Sequence, residues 1–209
     1  MTTAALAESK PYHHGDLRRA LLHAAEAVLE REGPNALSLR AVAREAGVSP
    51  AAPYHHFKDK NELLNAVAIE GFVQLKHAMA AATKNAPAEE KRLSIGVAYV
   101  EFAQANPALY RVMYDCARNG EALPEDMHEA EAEGGYQLVK DTINEAAGGQ
   151  LSEMDLELTC IAAWCAVHGL AEMCKFHKFK PLREMMGGER AFLEGVLGHF
   201  GALSPGKSA

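Results

Sequence analysis

The sequence predicts an all-α chain in two parts, a short amino-terminal helix-turn-helix and a longer helical region after it. Three observations carry this. Apolar residues recur at spacings of three and four through most of the 209 residues, the mark of helices that each bury one face. Helix breakers fall between those runs, at Gly33-Pro34, Asn106-Pro107 and Gly148-Gly149. No alternating strand pattern and no internal repeat is present.

The first predicted helix carries Leu17, Leu21, Ala24, Ala25, Val28 and Leu29 on one face and stops at Gly33-Pro34. Leu37 to Phe57 then reads as two short helices around a tight turn. Ser38 caps the first of these, its hydroxyl accepting from a free N–H inside the helix, and Leu39, Val42, Ala43 and Ala46 form its apolar side. Gly47 stands where the chain reverses, in a backbone region that glycine enters cheaply. Val48 plugs the corner, Ser49 caps the second helix, and Pro50 takes that helix's first position. Pro53 lacks the N–H that would bond the Ser49 carbonyl, so the first turn is expected to be distorted. Asp59 caps the next helix, with Glu62 three residues on as in a capping box. Together these segments have the layout of a helix-turn-helix, whose second helix enters the DNA major groove.

The linking helix continues from Asn65 to Thr83, ending before Asn85-Ala-Pro87, and Glu89 to Gln104 forms another. A short helix covers Ala108 to Tyr114. Glu121 to Glu133 is acidic and reads as a solvated loop or helix start, and helix resumes from Tyr136 to Ala147. Leu158 to Ala171 carries no formal charge, with Leu156, Cys160, Ala163, Trp164, Val167, Ala171 and Cys174 on one stripe and Ile161, Cys165 and Leu170 on other faces. Such a helix is expected to be buried on several sides and too short to span a membrane. The last helix, Glu189 to Leu203, has Phe192, Val196, Phe200 and Leu203 on one side and Gly195, Gly198 and Gly201 on another. Each glycine costs about 1 kcal/mol in a helix, so three in register predict the close approach of a neighbouring helix.

Charge divides unevenly along the chain. Residues 10 to 60 hold 8 Lys or Arg against 6 Asp or Glu, while residues 61 to 209 hold 13 against 21, within a net charge of −7. The mildly basic amino-terminal part suits phosphate, and the remainder serves another purpose. No uncharged run of 18 apolar residues or signal-like amino terminus is present, so the expected location is cytoplasmic. Cys116, Cys160, Cys165 and Cys174 lack metal-ligand spacing and are read as reduced thiols. No Gly-rich phosphate loop, Gly-x-Ser-x-Gly or His-Glu-x-x-His motif occurs, so no enzyme and no cofactor is expected. The adjacent pairs His13-His14 and His55-His56 point about 100° apart on a helix and do not naturally chelate.

Ala41-Val-Ala-Arg-Glu-Ala-Gly-Val-Ser49, Tyr54-His-His-Phe57, Lys60 and Glu62-Leu-Leu64 resemble the TetR family of transcriptional regulators, as does the opening Tyr12-His-His-Gly-Asp-Leu-Arg18. Trp164-Cys-Ala-Val-His-Gly169 resembles the Trp-His-Gly signature in the carboxy-terminal domain of one branch. The resemblance implies a tail at 1–11, a three-helix helix-turn-helix DNA-binding domain at 12–75, an effector-binding and dimerisation domain at 76–203, and a tail at 204–209. It implies a homodimer that binds a palindromic operator, usually as a repressor, and that a small molecule releases.

The DNA-facing residues carried over are Ser38, Arg40, Ser49, Pro50, Ala51, Ala52, Tyr54, His55 and Lys60. Arg40 can reach guanine O6 and N7, Ser38, Tyr54, His55 and Lys60 can hold phosphate, and Ala51 or Ala52 can meet thymine methyls. The effector pocket is expected from Phe102, Tyr110, Met113, Tyr114, Tyr136, Trp164 and His168, lining suited to an apolar or aromatic molecule. The dimer face is expected from Trp164, Phe192, Gly195, Val196, Gly198 and Phe200. No metal site is expected.

Two rival readings compete. One is a helical redox- or metal-responsive sensor built on Cys160, Cys165 and His168. The other is a dimeric interaction module without sequence-specific DNA binding. Pro50-Ala-Ala-Pro53, which offers no side-chain donor, favours it, and Tyr54 and Lys60 oppose it.

Overall fold

The computed structural model describes residues 14–118 and 135–203, with side chains for 17–115 and 135–200. The expected tails, the acidic stretch from Glu121 to Glu133, and the side chains of Cys116 and Gly201 lie outside the described residues. Those residues form α1 (His14–Glu32), α2 (Leu39–Glu45), α3 (Lys60–Thr83), α4 (Lys91–Ala105), α5 (Pro107–Arg118), α6 (Gln137–Ala146), α7 (Glu153–Met173), α8 (Lys180–Met185) and α9 (Glu189–Leu203). Two 3-10 turns, Ala52–His55 and His177–Phe179, complete them, and no strand occurs among the described residues. The chain divides into two compact units, Met1–Val67 and Ala68–Ala209, the division falling within α3.

In the first unit the periodicity translates directly into burial. Leu21, Ala25, Val28 and Leu29 of α1 are fully buried, and so are Val42 of α2 and Leu63 and Val67 of α3. Phe57 is buried too, with the Arg18 guanidinium 5.5 Å above its ring. Ser38 caps α2 as expected, its Oγ accepting from the Ala41 N–H at 3.1 Å. Gly47 follows α2 at φ +66°, and the turn closes through Gly47 N to the Arg44 carbonyl and Val48 N to the Ala43 carbonyl. This pair of bonds is a Schellman motif, which satisfies carbonyls left open at a helix end. Asp59 caps α3 as expected, Glu62 N donating to Asp59 Oδ1 at 2.9 Å, but the return bond of a capping box is displaced by one residue, Glu62 Oε2 accepting from Lys58 N at 2.6 Å rather than from Asp59 N.

The second helix of the hairpin departs from expectation. It is a single 3-10 turn, Ala52–His55, that Ser49 does not cap and that Pro50 precedes. With no N–H on Pro53, the Ser49 carbonyl accepts instead from Ala52 N at 3.0 Å, three residues away. The following bonds, Tyr54 N to Ala51 O and His56 N to Pro53 O, keep the same spacing. Four-residue spacing returns at the end, where Phe57 N also donates to the Pro53 carbonyl at 2.9 Å, so the missing donor goes with a 3-10 geometry at the start of the segment.

The second unit packs α4 against α6, α7 and α9. Its core holds Tyr99, Val100, Met113, Cys160 and Leu193. Within this chain the close approach to α9 is at Gly96 of α4 rather than at the described glycines of α9, an added Cβ on Gly96 standing 3.0 Å from Leu197 and 3.4 Å from Val167. An added Cβ at Gly198 would meet nothing within 4 Å, and one at Gly195 only the Met186 methyl.

The expectation for α7 also needs correcting. Ser152 caps it, and it runs 21 residues, long and apolar enough by the bare criterion of length and composition to cross a membrane. It is a half-covered helix rather than one buried on several sides. Leu156, Cys160, Leu170 and Ala171 face inward, whereas Leu158 is 57% and Ile161 48% exposed.

Candidate functional site

In the first unit, the surface of α2 and its turn carries an exposed set of polar and cationic groups. Ser38, Arg40 and Arg44 are exposed, as are Ser49, Pro50, Ala51, His55 and Lys58. Tyr54 is 54% exposed, a high value for an aromatic residue. Ser38 accepts its capping bond through a lone pair, so its O–H remains able to donate. Arg40 and Arg44 stand one helical turn apart on α2, on the same side. Arg31 takes up the acid of this helix, Glu45, at 2.7 Å. That pairing holds the Glu45 carboxyl below its usual range and ties α1 to α2.

Two expected residues are differently placed. Lys60 is half-buried, and its ammonium donates to the Pro34 carbonyl at 3.0 Å, bracing the loop after α1. Two of its three N–H bonds remain for another acceptor. Ala52 is half-buried beside buried Pro53, so Ala51 is the more open of the two alanines. Arg44 and Lys58 join the surface without having been expected from the sequence, although the four-residue spacing of Arg44 from Arg40 is a usable signal.

The second unit contains a partly open cavity of about 40 Å³ lined by α3, α4, α6 and α7. Met79 contributes from α3 and Arg92, Ile95, Gly96 and Tyr99 from α4. Val139, Thr142 and Ile143 line it from α6, and Ala163, Trp164 and Val167 from α7. Of the seven residues expected to form a pocket, Trp164 alone is among these. Phe102 and Met113 are core residues. Tyr136 stacks toward Trp164 with ring centroids 5.9 Å apart and donates to Glu157, whose other oxygen accepts from Lys140 at 2.8 Å.

Tyr110, Tyr114 and His168 belong to a partly buried network around Tyr99, a cavity-lining residue that the sequence does not single out. The Tyr99 hydroxyl lies 2.7 Å from that of Tyr114 and 3.0 Å from that of Tyr110. His168 Nδ1 is 2.7 Å from the Tyr110 hydroxyl and 3.2 Å from that of Tyr99. Burial pushes the Tyr99 and Tyr110 phenols well above their ordinary range, so both stay protonated. The network gives three phenols and an imidazole partners in a place where unpaired polar groups would be costly.

Two expected dimer residues point inward. Phe192 is 3% exposed, packed on Phe179 and under the Arg183 guanidinium. Trp164 lies edge-on to Tyr99 with centroids 5.4 Å apart. Gly195 and Val196 are half-exposed, and Gly198 and Phe200 are exposed on α9. Met154, Leu158, Ile161 and Cys165 form the matching exposed stripe of α7, on a helix for which the sequence predicts burial on several sides. Among the described residues, no group of three or more His, Cys, Asp or Glu lies together as a metal site requires.

Comparison with known proteins agrees with this geometry. Residues 21–67 match the family described as bacterial regulatory proteins, tetR family, and residues 93–196 match the tetracyclin repressor-like carboxy-terminal domain. An uncharacterized HTH-type transcriptional regulator of Bacillus subtilis, YobS, is 29% identical over 96 residues, 46% of this chain and 50% of that one. The match thus spans about half the length of that relative. A protein of unknown function from Rhodococcus sp. RHA1 is 33% identical, with TM-score 0.72, over 93% of this chain and 96% of that structure. The TetR family transcriptional regulator PfmR from Thermus thermophilus shares the fold at 20% identity and TM-score 0.59, over 90% of this chain and 99% of its own.

Proposed function

From the premise that this chain belongs to the TetR family of transcriptional regulators, we propose that it represses transcription as a homodimer bound to a palindromic operator and released by a small molecule. The observation that carries the DNA-binding part is the exposed α2 surface, with Ser38, Arg40, Arg44 and Tyr54 presented outward from a rigidly capped hairpin. Arg40 reads a base edge, and Ser38, Tyr54, His55 and Lys60 set register on phosphate. The 3-10 turn carrying Ser49, Pro50, Ala51 and Ala52 offers apolar contacts in place of hydrogen bonds. Base reading then leans on Arg40 and on DNA shape.

Dimerisation is supported by the exposed stripe of α7 beside the open Gly195 and Gly198 face of α9 with Val196 and Phe200. A two-fold copy of the same surface covers such a stripe and lets helices approach at the glycines. Release is supported by the cavity: α3, which sends Leu63 into the core of the first unit, also sends Met79 into the cavity wall. An effector that prefers a tilted α3 shifts the DNA-binding equilibrium by its differential affinity for the two states.

The test is to incubate purified protein with fragmented genomic DNA at physiological salt and sequence what is retained. A shared palindrome is expected, together with a dimeric mass in solution. Retention without any sequence enrichment would reject the operator reading, and a monomeric mass would reject the dimer.

A further inference from the structure

The cavity has one chemical asymmetry. The hydroxyl groups of its wall are already engaged, since Thr142 donates to the Leu138 carbonyl at 2.8 Å and the Tyr99 hydroxyl is held in the phenol network. The ionic side chain that lines it is Arg92, at the start of α4. Arg92 is exposed and, among the described residues, has no hydrogen bond or ion pair. Its neighbours are committed: Lys91 to Glu145 at 3.1 Å, Arg190 to Glu101 at 3.2 Å and Glu194 at 3.0 Å. Arg92, Ile95, Gly96 and Tyr99 follow one another at helical spacing, so the lining runs about two turns along α4, roughly 10 Å, from a cationic end to an aromatic end.

We infer that this cavity takes an amphipathic monocarboxylic acid, its apolar body among Met79, Ile143, Trp164 and Val167 and its carboxylate on Arg92. The assignment rests on the effector reading above and narrows its ligand class. A planar guanidinium matches a carboxylate with two parallel hydrogen bonds. Beyond it the hydroxyls of the wall are engaged, and the Trp164 indole N–H is the one lining side-chain donor without a hydrogen bond among the described residues, so a ligand with several polar groups along its body would bury most of them unpaired. One anionic end and an otherwise apolar body is the chemistry that satisfies both.

The present volume of about 40 Å³ is smaller than such a body, so the occupant must displace wall side chains. Met79 is suited to that role, being unbranched and conformationally adaptable, and its methyl sits where a Cβ on Gly135 would stand. Because Met79 belongs to α3, its displacement is also the step that carries ligand binding to the DNA-binding end of the same helix.

The experiment is titration calorimetry of the full chain with octanoate and with octanol, which share an alkyl body and differ in the charged end. Octanoate is expected to bind about tenfold more tightly, the size of one charge-assisted contact at a partly solvated site. Arg92→Met is expected to abolish that preference by lowering octanoate affinity. Equal affinity of the wild type for both, binding of neither, or a preference that survives Arg92→Met would overturn the assignment. The effector reading has a separate readout in release of operator DNA by a panel of neutral apolar compounds. Release by such a compound, with no octanoate preference, rejects the acid and keeps the cavity.

Discussion

α2 and α7 each leave one face uncovered, and the two faces have opposite chemistry. The outward side of α2 presents Arg40 and Arg44 with the Ser38 hydroxyl at its start, groups at ease in water. The outward side of α7 presents Met154, Leu158, Ile161 and Cys165, a contiguous apolar stripe. A face of the first kind costs nothing while free and gains counterion release when it meets phosphate. A face of the second kind keeps apolar surface in water at about 25 cal/mol per Å² until another protein surface covers it. Exposure alone therefore says little about purpose. The chemistry of what is exposed separates a face suited to phosphate from a face suited to another apolar surface.

The largest expected effect comes from giving α7 the chemistry of α2. Ile161→Glu places a charge in the middle of the stripe, where a partner helix would bury it unpaired at a cost of several kcal/mol. Light scattering is expected to show a monomer with unchanged circular dichroism, and operator affinity is expected to fall at least about a hundredfold. A dimer that survives this substitution would show that the α7 stripe is not the contact surface. The reverse operation on α2 is smaller. Arg40→Ala is expected to weaken operator binding about 10- to 100-fold and relax sequence preference, whereas Arg44→Ala weakens all sequences alike and lowers the salt slope by about one. Equal behaviour of the two variants would remove the distinction between reading and positioning.

Stability changes in the hairpin come next. Gly47→Val forces a β-branched residue to φ +66° and is expected to cost about 1–2 kcal/mol. Ser38→Ala removes a cap worth about 1 kcal/mol. Both are read as a lowered unfolding temperature of the first unit, with octanoate binding in the second unit unchanged. The smallest effect is alkaline. Unfolded tyrosines lose their protons near pH 10, whereas Tyr99 and Tyr110 keep theirs when folded. The unfolded state therefore binds fewer protons there, and stability falls as pH rises above that value. Tyr99→Phe is expected to reduce this loss in a thermal-melt series, and an unchanged alkaline slope would contradict it.

Much of the first unit is legible in the sequence, because its signals are local. Ser38 reaches a donor three residues away, Asp59 accepts from the Glu62 N–H across three residues, and Gly47 relieves a steric conflict of its own backbone. The distortion at Pro53 is legible too, since a missing N–H is a property of one residue. Its extent is not: whether one lost bond shifts one turn or a whole segment depends on what Pro53 and Phe57 pack against, and both are buried. Lys60 shows the same limit. A lysine at the start of a helix beside a basic surface suggests phosphate, and the carbonyl of Pro34, 26 residues earlier, is invisible until the chain folds back on it.

The second unit is legible as helices and not as faces. α7 is apolar almost all round, so its sequence carries little information about which side turns inward. Trp164 packs on Tyr99 and His168 joins the phenol network, yet Leu158 and Ile161, just as apolar as their buried neighbours, stand outside. The cavity follows the same rule, with Tyr99, Gly96 and Arg92 brought together with Trp164 by the packing of four helices.

By itself, then, the sequence determined the all-α class, the hairpin with its caps and glycine turn, and the resemblance that led to the family. Each of these rests on hydrogen bonds and steric limits within a few residues, or on motifs read as strings. Only the tertiary structure decided the rotation of α7 and α9 about their own axes, the inward turn of Trp164 and Phe192, and the placing of Arg92 at the rim of an apolar cavity. Those depend on which neighbour removes most apolar surface from water, a sum over contacts distant in sequence that no local pattern encodes.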